Sequence, residues 1–126
     1  MRAFPVVSLL LIPLLCSCAA TMDRAEVQAA RLGAPTLSAA EECPDGIDAR
    51  SLPRYPQDAL RSRTEGWVVV AVELSSDGQI LSRKIDSEKP SGVFSQAALD
   101  SVDSNAFSRS SGTRRCKMLY TFGLDG

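Results

Sequence analysis

The stretch Trp67-Val68-Val69-Val70-Ala71-Val72-Glu73-Leu74 is rich in β-branched residues and apolar on both alternating faces for most of its length. Such a strand is covered on both sides, so the run reads as the centre of a sheet rather than its edge. Directly after it, Ser76-Asp77-Gly78 is a tight-turn signal in which Asp-Gly supplies the positive φ that hairpin turns need. The returning strand is expected from Gln79 to about Ser87, with Pro90 interrupting the pattern beyond it.

Upstream of this hairpin, Leu52-Pro53-Arg54-Tyr55-Pro56-Gln57-Asp58-Ala59-Leu60 reads as the start of a helix. Proline is tolerated in a first helical turn, Asp58 complements that turn, and Arg61 and Arg63 lie toward the other end. A short helix from Pro56 to about Thr64 follows, ended by Gly66. Downstream, Phe94, Ala98 and Val102 recur at helical spacing, with Ala97, Leu99 and Ala106 widening the stripe, so a second helix starting at Ser91 or Gly92 turns one face to the core. After a polar loop, Cys116, Met118, Tyr120, Phe122 and Leu124 alternate with Arg115, Lys117, Leu119, Thr121 and Gly123, the pattern of a half-buried third strand. The predicted order is helix, strand, strand, helix, strand. Its fold class is α+β, with two helices packed on one face of a three-stranded antiparallel sheet over residues 43–126.

The whole chain has 126 residues, 14 Lys+Arg and 15 Asp+Glu, which fits one small domain and excludes a second. A net charge of −1 gives no reason to expect a nucleic-acid partner. There is no histidine, which removes the usual general base and the commonest metal ligand. Asp77, Asp86, Glu88, Asp100 and Asp103 are scattered carboxylates that read as solvated faces. The expectation is a protein that is not an enzyme, with no cofactor and no metal site.

Met1-Arg2-Ala3 precedes an apolar run from Phe4 to Leu15 that is broken by Pro5 and Pro13. This run is shorter than the roughly 20 residues of a membrane-crossing helix and reads as a signal segment. Leu15-Cys16-Ser17-Cys18 resembles a bacterial lipobox, which makes residues 1–17 the signal peptide and Cys18 the lipidated residue. The alternative is a plain secretory peptide cut near Ala19-Ala20; bulky Leu15 makes Cys16 the weaker lipid acceptor. Residues 18–42, rich in Ala, Ser, Thr and charge, read as a flexible tether of roughly 25–30 Å as a coil and about 80 Å fully stretched. A short helix fits within it, from about Asp23 to Leu32. Export also makes Cys43 and Cys116 an even pair in an oxidising compartment. A disulfide between them is the default, worth about 4 kcal/mol by the chain-entropy argument; two isolated buried thiols are the alternative, and a metal site is weaker than either.

Several residues, in order and spacing, resemble the C-terminal domain of TonB energy transducers. They are Pro53, Tyr55-Pro56, Glu65-Gly66, Asp77-Gly78, Ser87-Glu88-Lys89-Pro90 and Phe94 with Ala97-Ala98-Leu99, spread over about Leu52 to Leu124. Asn105 departs from the family's usual aromatic, with Phe107 two positions later, and Arg109 stands where proline is common. Energy-transducing members also carry an N-terminal transmembrane helix with a histidine and a long proline-rich spacer, which this chain does not show. The resemblance therefore implies the binding mode alone: addition of an extended receptor segment to a sheet edge beside the third strand.

A three-stranded sheet leaves an edge with unpaired backbone groups, which gives that mode a physical basis. Arg115, Lys117, Leu119 and Thr121 are the candidate edge stretch, with Tyr55 and Pro56 as further candidate contacts. The plainer readings are protective charges at Arg115 and Lys117 and packing roles for Tyr55 and Pro56. The expected partners are an extended segment of an outer-membrane receptor or envelope protein, and the membrane through the lipid. A scaffolding lipoprotein that self-associates as a homo-oligomer through the same edge is the competing expectation. Ala19 after the lipidated cysteine points to the periplasmic side of the outer membrane, because inner-membrane retention in many such lipoproteins goes with Asp there. If Cys18 carries the lipid, Cys18→Ser accumulates as unprocessed precursor on immunoblots of fractionated cells.

Overall fold

A computed structural model describes residues 2–3, 21–43 and 52–124. The expected signal peptide, apart from residues 2–3, lies outside the described residues, as do Cys16 and Cys18. The elements run α1 (Arg24–Arg31), α2 (Gln57–Arg61), β1 (Gly66–Leu74), β2 (Ile80–Lys89), α3 (Ser95–Asp103) and β3 (Arg114–Phe122).

The sheet order is β2-β1-β3, antiparallel throughout, so β1 is the central strand. Val68, Val70, Val72 and Leu74 on one face of β1 are at most 2% exposed, and Val69 on the other face is 1% exposed. The hairpin turns at Ser75–Gln79, where Gly78 has φ 83° and a Cβ would overlap the carbonyl of Phe107. At the other end of β1, a Cβ on Gly66 would overlap the Lys89 carbonyl and crowd the Phe94 ring. Only glycine lets β1 and β2 close there.

The core lies on one side of the sheet. Phe94, Ala98 and Val102 bring α3 onto Val68, Val70 and Val72, as the helical spacing predicts. From β3, Cys116, Met118, Tyr120 and Phe122 face inward at 6% exposure or less. The rings of Phe94 and Phe122 stack with centroids 4.3 Å apart, and Tyr55 meets both edge-on at 5.6 and 5.8 Å. Asn105, the departure from the aromatic usual in the resembled family, donates to the Tyr120 hydroxyl at 3.2 Å, and Phe107 fills the neighbouring core.

Element boundaries differ from expectation for local reasons. The first predicted helix is shorter, because Arg63 takes a left-handed backbone (φ 53°) and Thr64 N–H folds back onto the Ala59 carbonyl. The second begins three to four residues later than expected, since Phe94 occupies its N-cap, and it ends at Asp103, which leaves Ala106 exposed. Strand β2 continues to Lys89, two residues beyond its predicted end.

The larger difference concerns the chain read as a tether. Its described part holds the short helix expected there, α1, in which Asp23 and Glu26 form a capping box, but then runs beside β3 instead of standing apart from the domain. Cys43 and Cys116, 73 positions apart in the sequence, are joined as a disulfide with Cα atoms 4.7 Å apart. The expected pairing is therefore present.

Truncating the stacked ring should be severe, because it removes a fully buried aromatic from a three-ring cluster. Phe94→Ala is expected to lose about 3–5 kcal/mol in urea melts, a large part of the roughly 5–15 kcal/mol available to a small domain.

Candidate functional site

Strand β3 pairs with β1 on one side, and its other side is the edge of the sheet. The direction of its backbone is fixed at Lys117, whose N–H donates to the Glu41 carbonyl at 2.6 Å and whose carbonyl accepts Cys43 N–H at 3.0 Å. Both groups thus face away from β1. The two-residue period of a strand turns the backbone of Arg115, Leu119 and Thr121 to that same side. Four predicted site residues therefore lie in one row along the outer edge.

Their side chains stand on the sheet face opposite the core. Lys117 Nζ lies 3.5 Å from Asp86 Oδ2 and 3.7 Å from Glu41 Oε1. This reach from β3 to β2 passes over Ala71, the register partner of Lys117, which is small enough to leave room. Arg115 is 86% exposed at its side chain and sits 3.7 Å from Glu73, the residue opposite it on β1. Tyr55 and Pro56 are not part of this row. Tyr55 packs with Phe94 and Phe122 on the core side, and its hydroxyl donates to the Thr64 carbonyl. Pro56 is the N-cap of α2 and sets its entry.

The chain before Cys43 runs along the same edge. Glu42 forms a parallel bridge with Lys117, and Ser38 gives both its N–H and its hydroxyl to Glu41, at 2.9 and 3.0 Å. These two Ser38 bonds, followed by the nearby Lys117, hold the Glu41 carboxyl below the ordinary carboxylate range. At the far end of β3, Arg31 of α1 grips Glu65 with two bonds, 2.8 and 3.1 Å, while Glu65 also accepts Leu124 N–H at 2.7 Å. Between these two attachments lies a groove of about 500 Å³, bordered by Ala25, Ala29, Pro35, Leu37, Leu119 and Thr121. Composition alone did not reveal Glu41, Arg31 and Glu65 as edge residues. The sole sequence signal was Cys43 itself, because a bond to Cys116 obliges the chain to pass beside β3.

Among the described residues, no three His, Cys, Asp or Glu gather as metal ligands, and no helix is long and apolar enough to cross a membrane. The site consists of the outer peptide edge of β3, with alternating charge and small apolar contacts, met at Lys117 by the chain before Cys43. It is suited to holding an extended chain by its backbone.

Comparison with known proteins gives a consistent answer. The profile of the family described as Gram-negative bacterial TonB protein C-terminal matches residues 51–118. The solution structure of the Helicobacter pylori TonB C-terminal domain is similar at 26% identity and a TM-score of 0.54, over 59% of this chain and 71% of that one. That of the Pseudomonas aeruginosa TonB C-terminal domain shares the fold at 22% identity and a TM-score of 0.54, covering 64% and 86% of the two chains. The TonB2 protein from Vibrio anguillarum does so at 16% identity and 0.52, covering 74% and 94%. A search among curated proteins gave no match.

The Glu65 grip carries a pH signature. Its hydrogen bonds from Arg31 and then from Leu124 N–H, with the charges of Arg31 and Arg63 adding to them, lower its pKa to about 2. A carboxylate depressed in the folded state contributes stability above its unfolded pKa of about 4.3, and loses it as pH falls toward the folded value. Thermal melts from pH 6 to pH 2 should therefore show a steeper fall in Tm for the wild type than for Glu65→Gln, with the gap between them closing in the acid range.

Proposed function

The chain belongs to the Gram-negative TonB C-terminal family, whose domains are non-enzymatic modules of energy transduction and protein interaction in the cell envelope, and from that premise we propose that it captures extended protein segments by β-strand addition to β3. The observation that supports this most directly is at Lys117, where the N–H and carbonyl both point outward and both already bond the backbone of another segment, at Glu41 and Cys43. The edge is competent to add a strand.

The choice of β3 over β2 also has a physical basis. Strand β3 pairs with β1 through nine residues without a register shift, whereas β2 carries two irregularities against the same strand. Irregular edges are poor templates for a further strand. Arg115 and Lys117 would raise the association rate of an acidic segment, and the side chains of Leu119 and Thr121 would tune selectivity. The partner class is an outer-membrane receptor with a periplasm-exposed segment, in keeping with the family's usual interactions. Lipidation at Cys18 and residence on the periplasmic side of the outer membrane belong to the same proposal, and they place the domain near such segments.

Proline substitution tests the edge cleanly, because the backbone at Thr121 faces away from β1 and the β1–β3 ladder does not use its N–H. Assayed under reducing conditions with circular dichroism unchanged, Thr121→Pro should recover at least tenfold less receptor from solubilised outer membranes than the wild type, and Asp100→Ala should recover as much. Equal recovery by folded Thr121→Pro refutes strand addition at β3. Recovery of the chain alone would instead favour self-association.

A further inference from the structure

The edge read above as the binding site is occupied by the protein itself. Residues 38–43 hold both backbone groups of Lys117, Glu41 pairs with the Lys117 ammonium, and the Cys43–Cys116 disulfide fastens the segment one residue from that contact. At the other end, α1 is held by the Arg31–Glu65 grip, and Gln28 lies close enough to Gly123 that a Cβ there would overlap it. The described chain from α1 to Cys43 is thus attached at both ends of β3. We propose that this segment is an intramolecular strap that closes the β3 edge to other chains, with the disulfide as its latch. The proposal rests on the strand-addition reading and adds its regulation.

The physical argument is competition. A ligand that binds only the open edge has its apparent affinity reduced by the fraction of time that edge is open. A strap tethered next to its site competes at high effective concentration, and a covalent bond at Cys43 prevents it from departing fully. The latch is also shielded, since Cys43 is 9% and Cys116 6% exposed. Opening it is a two-electron reduction by a dithiol. One thiolate attacks a sulfur of the pair, the other cysteine leaves as thiolate, and the second thiol then closes the reductant's own disulfide, leaving two protein thiols.

The test uses the full chain and two open variants. Cys43→Ser with Cys116→Ser removes the latch alone, and Cys43→Pro with Cys116→Ser also removes the N–H that bonds to Lys117. The probe is a labelled peptide of residues 36–43 with serine in place of Cys43. Amide exchange at Lys117 should be at least tenfold faster in the open variants than in the oxidised wild type. Both should bind the peptide at least tenfold more tightly, and wild type treated with dithiothreitol should match the latch-free variant. Equal exchange at Lys117, or equal affinity in oxidised and open chains, overturns the strap. Failure of the underlying reading looks different: Thr121→Pro in the open background would then bind the peptide as tightly as its parent. The Cys43→Ser pair keeps the test decisive if the proline variant fails to fold, as judged by its melt.

Discussion

The whole architecture follows from the need to satisfy β1. A strand apolar on both faces is buried, and each of its backbone N–H and carbonyl groups must find a partner or incur roughly 1–3 kcal/mol of desolvation. Two neighbours are therefore obligatory, and β2 and β3 supply them in antiparallel register. Once β1 is enclosed, α3 covers its core face with Phe94, Ala98 and Val102, and Tyr55 closes the end of that layer against Phe94 and Phe122. The same requirement turns the peptide groups of β3 that β1 does not use outward, where at Lys117 they meet the backbone of Glu41 and Cys43. In a sheet this narrow, the peptide groups that β1 does not use become a row of donors and acceptors along β3.

Much of this was legible in the sequence because it depended on periodicity. The alternation Cys116, Met118, Tyr120, Phe122 decides which face of β3 is buried, and the recurrence of Phe94, Ala98 and Val102 decides which face of α3 packs. Asp77-Gly78 marks the hairpin by its conformational requirement alone. Boundaries were less legible, since they depend on single residues. That Arg63 would take a left-handed backbone, or that Phe94 would cap α3 rather than lie inside it, follows from tertiary packing and not from propensity.

The candidate site divides in the same manner. Arg115, Lys117, Leu119 and Thr121 form one row, as strand alternation requires, whereas Tyr55 and Pro56 belong to the core side and a helix cap. The segment before Cys43 was not legible as an edge partner. Ser38, Glu41 and Glu42 carry no strand pattern; their attachment comes from backbone bonds at one residue, local bonds from Ser38 and a covalent neighbour. Small alanines in α1 likewise look like linker composition, although they border a groove against β3. Packing between weakly patterned segments leaves little trace in composition, because it requires only that side chains be small.

The Cys43–Cys116 bond also determines how the domain carries mechanical load. Tension applied to the chain ahead of residue 43 does not have to travel through α2, the β1–β2 hairpin and α3 to reach β3. It crosses the sulfur bridge and enters β3 at Cys116, so the 72 residues between the two cysteines lie outside the line of force. A pull along this path loads a covalent bond and one strand, and the aromatic core stays in parallel with the load rather than in series.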